Sequence, residues 1–273
     1  MRETLKTISY QFIAVMTVIL IIFPIYWLVL TSFKTPTSSI YSTEFHLLPV
    51  DLTFNSYLMA FQYPLLLWLK NSVVVSIPSI VLTLLFATPA AYVLSRHHFR
   101  GRKLIMRMLI IMQLLPIMIA LMPLFLIMAG LNLLNLQGLI IAYTASSLPF
   151  HIISLKLFFD TIPVELDESA ALSGASTYEI LYRIILPLAK PGLAVSSVLA
   201  FMGVWNEYIL ARTFLLNSND YTFAVALGEI TIYWQIPWPL FAVMSIISSI
   251  PLVIVFVLAQ QYLKEGLLRG AIR

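Results

Sequence analysis

Four carboxylates, Glu165, Asp167, Glu168 and Glu179, crowd into the segment from Pro163 to Pro191 of a chain with only twelve Asp and Glu in all. Clustered acids can share a proton, hold a metal ion or present charge to a partner, and their surroundings decide which. Acid–base or metal chemistry would need histidines or further acids converging on them. His46, His97, His98 and His151 include no pair at metal-ligand spacing with a carboxylate, and His97-His98 sits inside a run of Arg and Lys. There is no cysteine, and none of the nine glycines opens a phosphate loop ending in Gly-Lys-Ser or Gly-Lys-Thr. No catalytic group and no metal site are expected, and nothing in the chain would let it hydrolyse ATP by itself. The acids read as contact groups.

A second candidate is Glu207, an acid inside the apolar run GVWNEYIL. At mid-bilayer such a group costs about 2.5 to 3.5 kcal/mol. Counting about 1.5 Å of rise per residue from Pro191 brings it near the outer face, where the cost is lower. Two readings stay open: an interfacial acid capped by Asn206 or paired with Arg212, or a residue lining the outer part of a solute route. Trp205 and Tyr208 flank it, and Tyr233, Trp234 and Trp238 follow. Such rings serve either as flat platforms for a ligand or as anchors at a membrane interface.

The charged segment has the local grammar of a helix, a turn and a second helix. Pro163 suits a first helical turn, and Glu165, Asp167 and Glu168 favour a helix N-terminus. Gly174 can take the left-handed cap conformation. Ser176 stands three residues before Glu179, the spacing of a capping box, and the new helix runs to Pro187.

What positions these residues is a membrane. The chain of 273 residues is 60% hydrophobic and only 10% charged, with mean hydropathy +0.95, too apolar for a soluble domain of its size. Long apolar runs with few or no Asp, Glu, Lys or Arg predict six spans at about 10–32, 71–95, 106–129, 138–159, 191–214 and 239–262, with a polar loop over 160–190. The first run is too long and lacks the small-residue cleavage site of a signal peptide. Pro116 and Pro123 fall within the third span, where a kink or break needs its freed backbone groups covered by protein or water. The turn-like GLNLLNLQG from Gly130 to Gly138 separates spans three and four. With both termini inside, every Lys and Arg except Lys34, Lys70 and Arg212 falls on the cytoplasmic side. Under the positive-inside rule that asymmetry sets the orientation and makes 160–190 cytoplasmic. The basic run at Arg96, Arg100, Arg102, Lys103 and Arg107 reads as membrane retention rather than a nucleic-acid patch. The expected fold is an all-α integral membrane protein, a single domain over 1–273.

Glu168, Ser169, Ala170, then Gly174 after three residues, then Ile184, Leu186 and Pro187 resemble the EAA motif of the membrane subunits of bacterial ABC importers. Ser169 stands where that motif has Ala. The resemblance implies a coupling helix docked into a cleft on a separate ATPase, with Glu168 as a charged contact, Ala170 as a small surface for close approach and Gly174 as the turn. Trp205, Asn206 and Glu207, the stretch AAYVLSRHHFRGRK and the tail QQYLKEGLLRGAIR are similar to the carbohydrate-uptake branch, that of maltose-type permeases. Gly266, Gly270 and Ala271 would then reach the groove between the ATPase subunits. Trp205, Asn206, Glu207 and Tyr208 would be candidates for the solute pathway. The family reading brings an ABC ATPase dimer that binds ATP and Mg, a second homologous permease, an extracytoplasmic solute-binding protein, a sugar or oligosaccharide substrate and the lipid of the plasma (inner) membrane. An importer for glycerol phosphate or another polar metabolite is the alternative, although only Arg212 and Lys70 lie near the path of an anion. A membrane enzyme or scaffold is the reading from another class.

Overall fold

The computed structural model describes residues 2–35, 52–231 and 238–270, and every regular element among them is helical. In chain order these are α1 (Arg2–Ser32), α2 (Asn55–Ala60), α3 (Leu65–Arg96), α4 (Arg102–Leu114), α5 (Ile117–Gly130), α6 (Leu136–Phe159) and α7 (Glu165–Leu172). There follow α8 (Thr177–Glu179), a π-helical stretch over Ile180–Ile185, α9 (Leu186–Leu188), α10 (Lys190–Trp205), α11 (Ile209–Phe214), α12 (Phe223–Ile230) and α13 (Trp238–Gly270). Among the described residues, four stretches are long and apolar enough to cross a membrane: Ser9–Ser32, Leu65–Arg96, Leu136–Phe159 and Trp238–Tyr262. Counting each of two bent helix pairs as one span gives six.

The third expected span, 106–129, is not continuous. α4 and α5 meet at 97° across Leu115 and Pro116. A residue before proline is pushed out of the α region, and Leu115 is extended, with φ −76° and ψ 123°. Pro123, by contrast, is accommodated inside α5. The fifth expected span, 191–214, is also interrupted. α10 ends at Trp205 and α11 starts at Ile209, while the Thr177–Leu188 segment bends by 79° into α10.

The chain divides into two compact units, residues 1–66 with 226–250 and residues 67–225 with 251–273. In the first, α1 is followed by a polar joint. Ser32 Oγ lies 2.9 Å from the Tyr57 hydroxyl, Ser56 Oγ donates to the Lys34 carbonyl, and the Phe33, Phe54 and Tyr57 rings cluster. Along α1 the large apolar side chains from Tyr10 to Ile25 are exposed, as a lipid-facing stretch requires, while Leu30 near its end is buried.

Among the described residues of the second unit, apolar side chains gather in three cores. One gathers Leu139 and Tyr143 of α6 with Leu210 and Phe214 of α11. Another joins Ala91 and Tyr92 of α3, Leu155 and Phe159 of α6, Ala170 of α7 and Ile180, Leu181 and Ile185 of the π-helical stretch. The third packs Phe201 and Trp205 of α10 against Ile80 of α3. α10 approaches α6 closely at Gly192, where any Cβ would fall on the Phe158 ring. Asn71 donates from its amide to the carbonyls of Asn219 and Tyr221, and Ser72 Oγ accepts from Phe223 N–H, fixing the 217–223 loop to α3. Hydroxyls within the apolar helices return to their own backbone: Thr17 to Ile13, Ser79 to Val75, Thr144 to Ile140 and Ser197 to Leu193. Without water as partner, a polar group in lipid has to be satisfied in this way.

Candidate functional site

α7 carries the acids in its first turn, Glu165, Asp167 and Glu168, where they complement the helix dipole. Its end is a Schellman turn: Ala175 N–H bonds to the Ala170 carbonyl, Gly174 N–H to that of Ala171, and Gly174 sits at φ +87°. The next helix opens with the expected capping box. Ser176 Oγ accepts from Glu179 N–H at 3.3 Å, and Glu179 Oε2 accepts from Ser176 N–H at 3.1 Å. These bonds to Ser176, with the Arg183 guanidinium 3.3 Å away, hold the Glu179 carboxyl below its ordinary range.

α7 has two unlike faces. Asp167 and Ala170, three apart, turn inward; Glu165, Glu168 and Leu172 turn outward, and Leu172 is 91% exposed. The inward face is fixed by charge. Asp167 Oδ1 accepts from the Tyr92 hydroxyl at 2.6 Å, and its Oδ2 from Arg96 Nε at 3.1 Å. Arg96 Nη2 donates at 2.9 Å to the Ile162 carbonyl, just ahead of α7. The Arg96 and Asp167 side chains are only 5% and 11% exposed, so this pair binds α7 to the last turn of α3 away from water. Sequence reasoning gave Asp167 only the part of a helix-start acid. The available signal was Tyr92 and Arg96, four apart on one face where a span ends.

Ala170 departs from expectation. It is 8% exposed and packs among Ile162, Ile180, Leu181 and Ile185, so its small volume serves the approach of α7 to its own chain. Ile184 and Leu186 pack at the margin of the same core, and Pro187 is exposed. Glu168, Ser169 and Gly174 are exposed.

Around Glu207 the expected partners are replaced. Its carboxylate accepts from the Tyr143 hydroxyl at 2.7 Å and from the N–H groups of Leu210 and Ala211 at 2.9 and 3.1 Å. Glu207 is thus the acid that starts α11 and joins it to α6. Asn206 instead donates to the Met202 carbonyl, and the Arg212 guanidinium lies over the Tyr221 ring. Trp205 is 3% exposed and stacked on Phe201, which leaves Asn206 and Tyr208 as the accessible members of this group. His151, given no role by the sequence, is buried with Nδ1 2.7 Å from Ser196 Oγ, joining α6 to α10.

Gly266 and Gly270 lie on the α13 backbone, while Ala271, His46, Tyr233 and Trp234 fall outside the described residues. Among the described residues no group of three or more His, Cys, Asp or Glu could hold a metal.

Residues 80–269 match the family described as binding-protein-dependent transport system inner membrane component. The inner membrane ABC transporter permease protein YcjP of Escherichia coli is 31% identical over 100% of this chain and 98% of its own. The sulfoquinovosyl glycerol transport system permease protein SmoH of Agrobacterium fabrum is 34% identical over 92% and 89%. The galactooligosaccharides transport system permease protein GanQ of Bacillus subtilis is 33% identical over 96% and 93%. A solved bacterial ABC transporter involved in import of the acidic polysaccharide alginate contains a chain that superposes with TM-score 0.79. It covers 96% of this chain and 97% of that one at 24% identity, a likeness of fold.

Proposed function

The chain belongs to the inner membrane components of binding-protein-dependent transport systems, and from that premise we propose that it carries a sugar or oligosaccharide across the plasma membrane. It is a permease subunit of an ABC importer and not an enzyme; ATP hydrolysis belongs to a separate subunit, and a binding protein delivers the solute. The names of its relatives, with galactooligosaccharides, maltose and maltodextrin among their solutes, support the carbohydrate over glycerol phosphate.

In this reading the chain is one permease domain of six crossings with both termini cytoplasmic, each bent pair counting as one span, and it works beside a second, similar permease. An ATPase dimer holds ATP and Mg and grips α7. The observation that carries this is the asymmetry of α7: one face is tied to the chain by Asp167, Tyr92 and Arg96, and the other leaves Glu168 and Leu172 bare. A helix built that way can be pushed from outside without coming loose inside. Closure of the ATPase dimer moves α7. The Asp167 link and the core around Ala170 pass that motion to α3 and α6, and the bend before α10 lets the cavity open outward. Ile184 and Leu186 brace this core, Pro187 stays at the surface beside them, and Gly266, Gly270 and Ala271 reach toward the ATPases. Asn206 and Tyr208 face the solute, with Glu207 and Trp205 holding them.

The chain has no cysteine, so Leu172→Cys gives a unique thiol for the test. In the assembled importer it should cross-link to the ATPase, and Glu168→Cys likewise. Cross-linking of neither, in a complex that still transports, would overturn the coupling role of α7.

A further inference from the structure

Two elements far apart in sequence turn their basic side chains toward one concavity of about 910 Å³. Arg100, Arg102, Lys103 and Arg107 come from the turn before α4 and its first turns, and Lys156 comes from the end of α6. Retention of a loop on one side of a membrane accounts for basic residues beside a span. It does not account for Lys156 arriving from another helix to complete the ring.

The ring is partly fixed in advance. Arg102 Nε donates at 2.9 Å to the Leu94 carbonyl at the end of α3. Lys156 is ion-paired with Asp160, whose other oxygen accepts from Ser95 Oγ at 2.7 Å. That carboxylate lies beside the ring, and the five Arg and Lys with His98 that line it outweigh its charge. Gly101, at φ 95°, begins α4 with no side-chain cap, so the amides of its first turn add partial positive charge to the same space.

The ligand should also have an apolar part. Phe99 and Met106 line the concavity beside the cations, and α4, which leads away from it, buries none of its residues. Leu104, Met108, Ile111 and Met112 are all exposed along that helix. Free phosphate would match the ring and leave this surface uncovered. We propose that the concavity binds the phosphate headgroup of an anionic phospholipid, whose acyl chains lie along α4.

The test uses the assembled importer in nanodiscs of phosphatidylcholine with graded phosphatidylglycerol, and native mass spectrometry of the lipids retained after release. The expected result is selective retention of phosphatidylglycerol by the wild type, unaffected by millimolar inorganic phosphate. In the triple variant Arg100→Gln, Lys103→Gln, Arg107→Gln that retention should fall about a hundredfold, each basic group near a membrane surface contributing roughly fivefold. Equal retention of both lipids by the wild type, which needs no variant, would overturn the proposal. Complete displacement by inorganic phosphate would mark a phosphate site instead. Loss of the ATPase from the triple variant with lipid retention unchanged would mark a protein contact.

Discussion

Asp167→Asn tests the joint between α7, the proposed coupling segment, and α3. The substitution keeps the side-chain volume and one hydrogen-bond acceptor for Tyr92, but it leaves Arg96 buried opposite a neutral group. Removing one partner of a buried pair costs about 3 to 5 kcal/mol, against about 0 to 1 for an exposed pair. With side-chain exposures of 5% and 11% the pair belongs near the buried case. Arg96 keeps its bond to the Ile162 carbonyl, which argues for the lower end. About 3 kcal/mol shifts the docking equilibrium of α7 by roughly a hundredfold. In reconstituted importer, amide exchange over residues 165–172 should accelerate by about that factor. ATP hydrolysis should continue while solute uptake per ATP falls. The double variant Asp167→Leu, Arg96→Met should recover part of the loss, since two apolar groups strand no charge. Wild-type exchange and uptake in Asp167→Asn would refute the view that this pair transmits motion from α7 to α3.

Gly174→Ala meets open space but forces an L residue to φ +87°, so it should cost about 1 to 2 kcal/mol in the local turn and lower uptake, measured against an unchanged level of inserted protein; a bulky residue there should abolish uptake. Gly192→Ala puts a methyl on the Phe158 ring and should destabilise by about 1 to 3 kcal/mol in a detergent melt, with Phe158→Leu relieving it. Glu207→Gln weakens the acceptor for Tyr143 and two amides and should cost roughly 1.5 to 3 kcal/mol, read as a lower melting temperature. The Glu179 carboxyl is held low by Ser176 and Arg183, so the start of its helix should stay protected from exchange as pH falls through the usual carboxylate range and fray only below it; fraying within that range would contradict the capping box.

The motif segment was legible because its signals are local. Gly174, Ser176 and Glu179 act within a few residues of one another, and each took the conformation its type favours. The apolar runs were legible for the same reason, since span length follows from composition. What stayed hidden depends on contacts between distant segments. Glu207 looked as though it needed a neighbour such as Asn206 or Arg212, but it found Tyr143 on α6. Ala170 looked like a surface residue because periodicity cannot say which face of a short helix meets its own chain. The break at Leu115 was half legible: Pro116 announced a disturbance, and only the structure gives a turn of 97°.

The last turn of α3 is joined both to α7, through Arg96, and to the rim of the basic concavity, through the Leu94 carbonyl. Arg96 binds Asp167 through Nε and reaches Ser95 Oγ at 3.5 Å through Nη1, and Ser95 in turn donates to Asp160, the partner of Lys156. A lipid phosphate bound in the concavity as proposed would compete with Asp160 for Lys156. The charge released on Asp160 then acts within one hydrogen bond of Ser95 and two of Arg96. The effect is reciprocal, as any coupling between two binding events has to be. Ordering α7 against an ATPase should therefore change the affinity for the anionic lipid by the same factor by which the lipid changes docking of the ATPase. Asp160→Asn removes the shared group while leaving the Asp167 pair and most of the cationic ring in place. In that variant both affinities should persist and their mutual dependence should shrink. Undiminished dependence would mean that the two sites communicate by some route other than the end of α3.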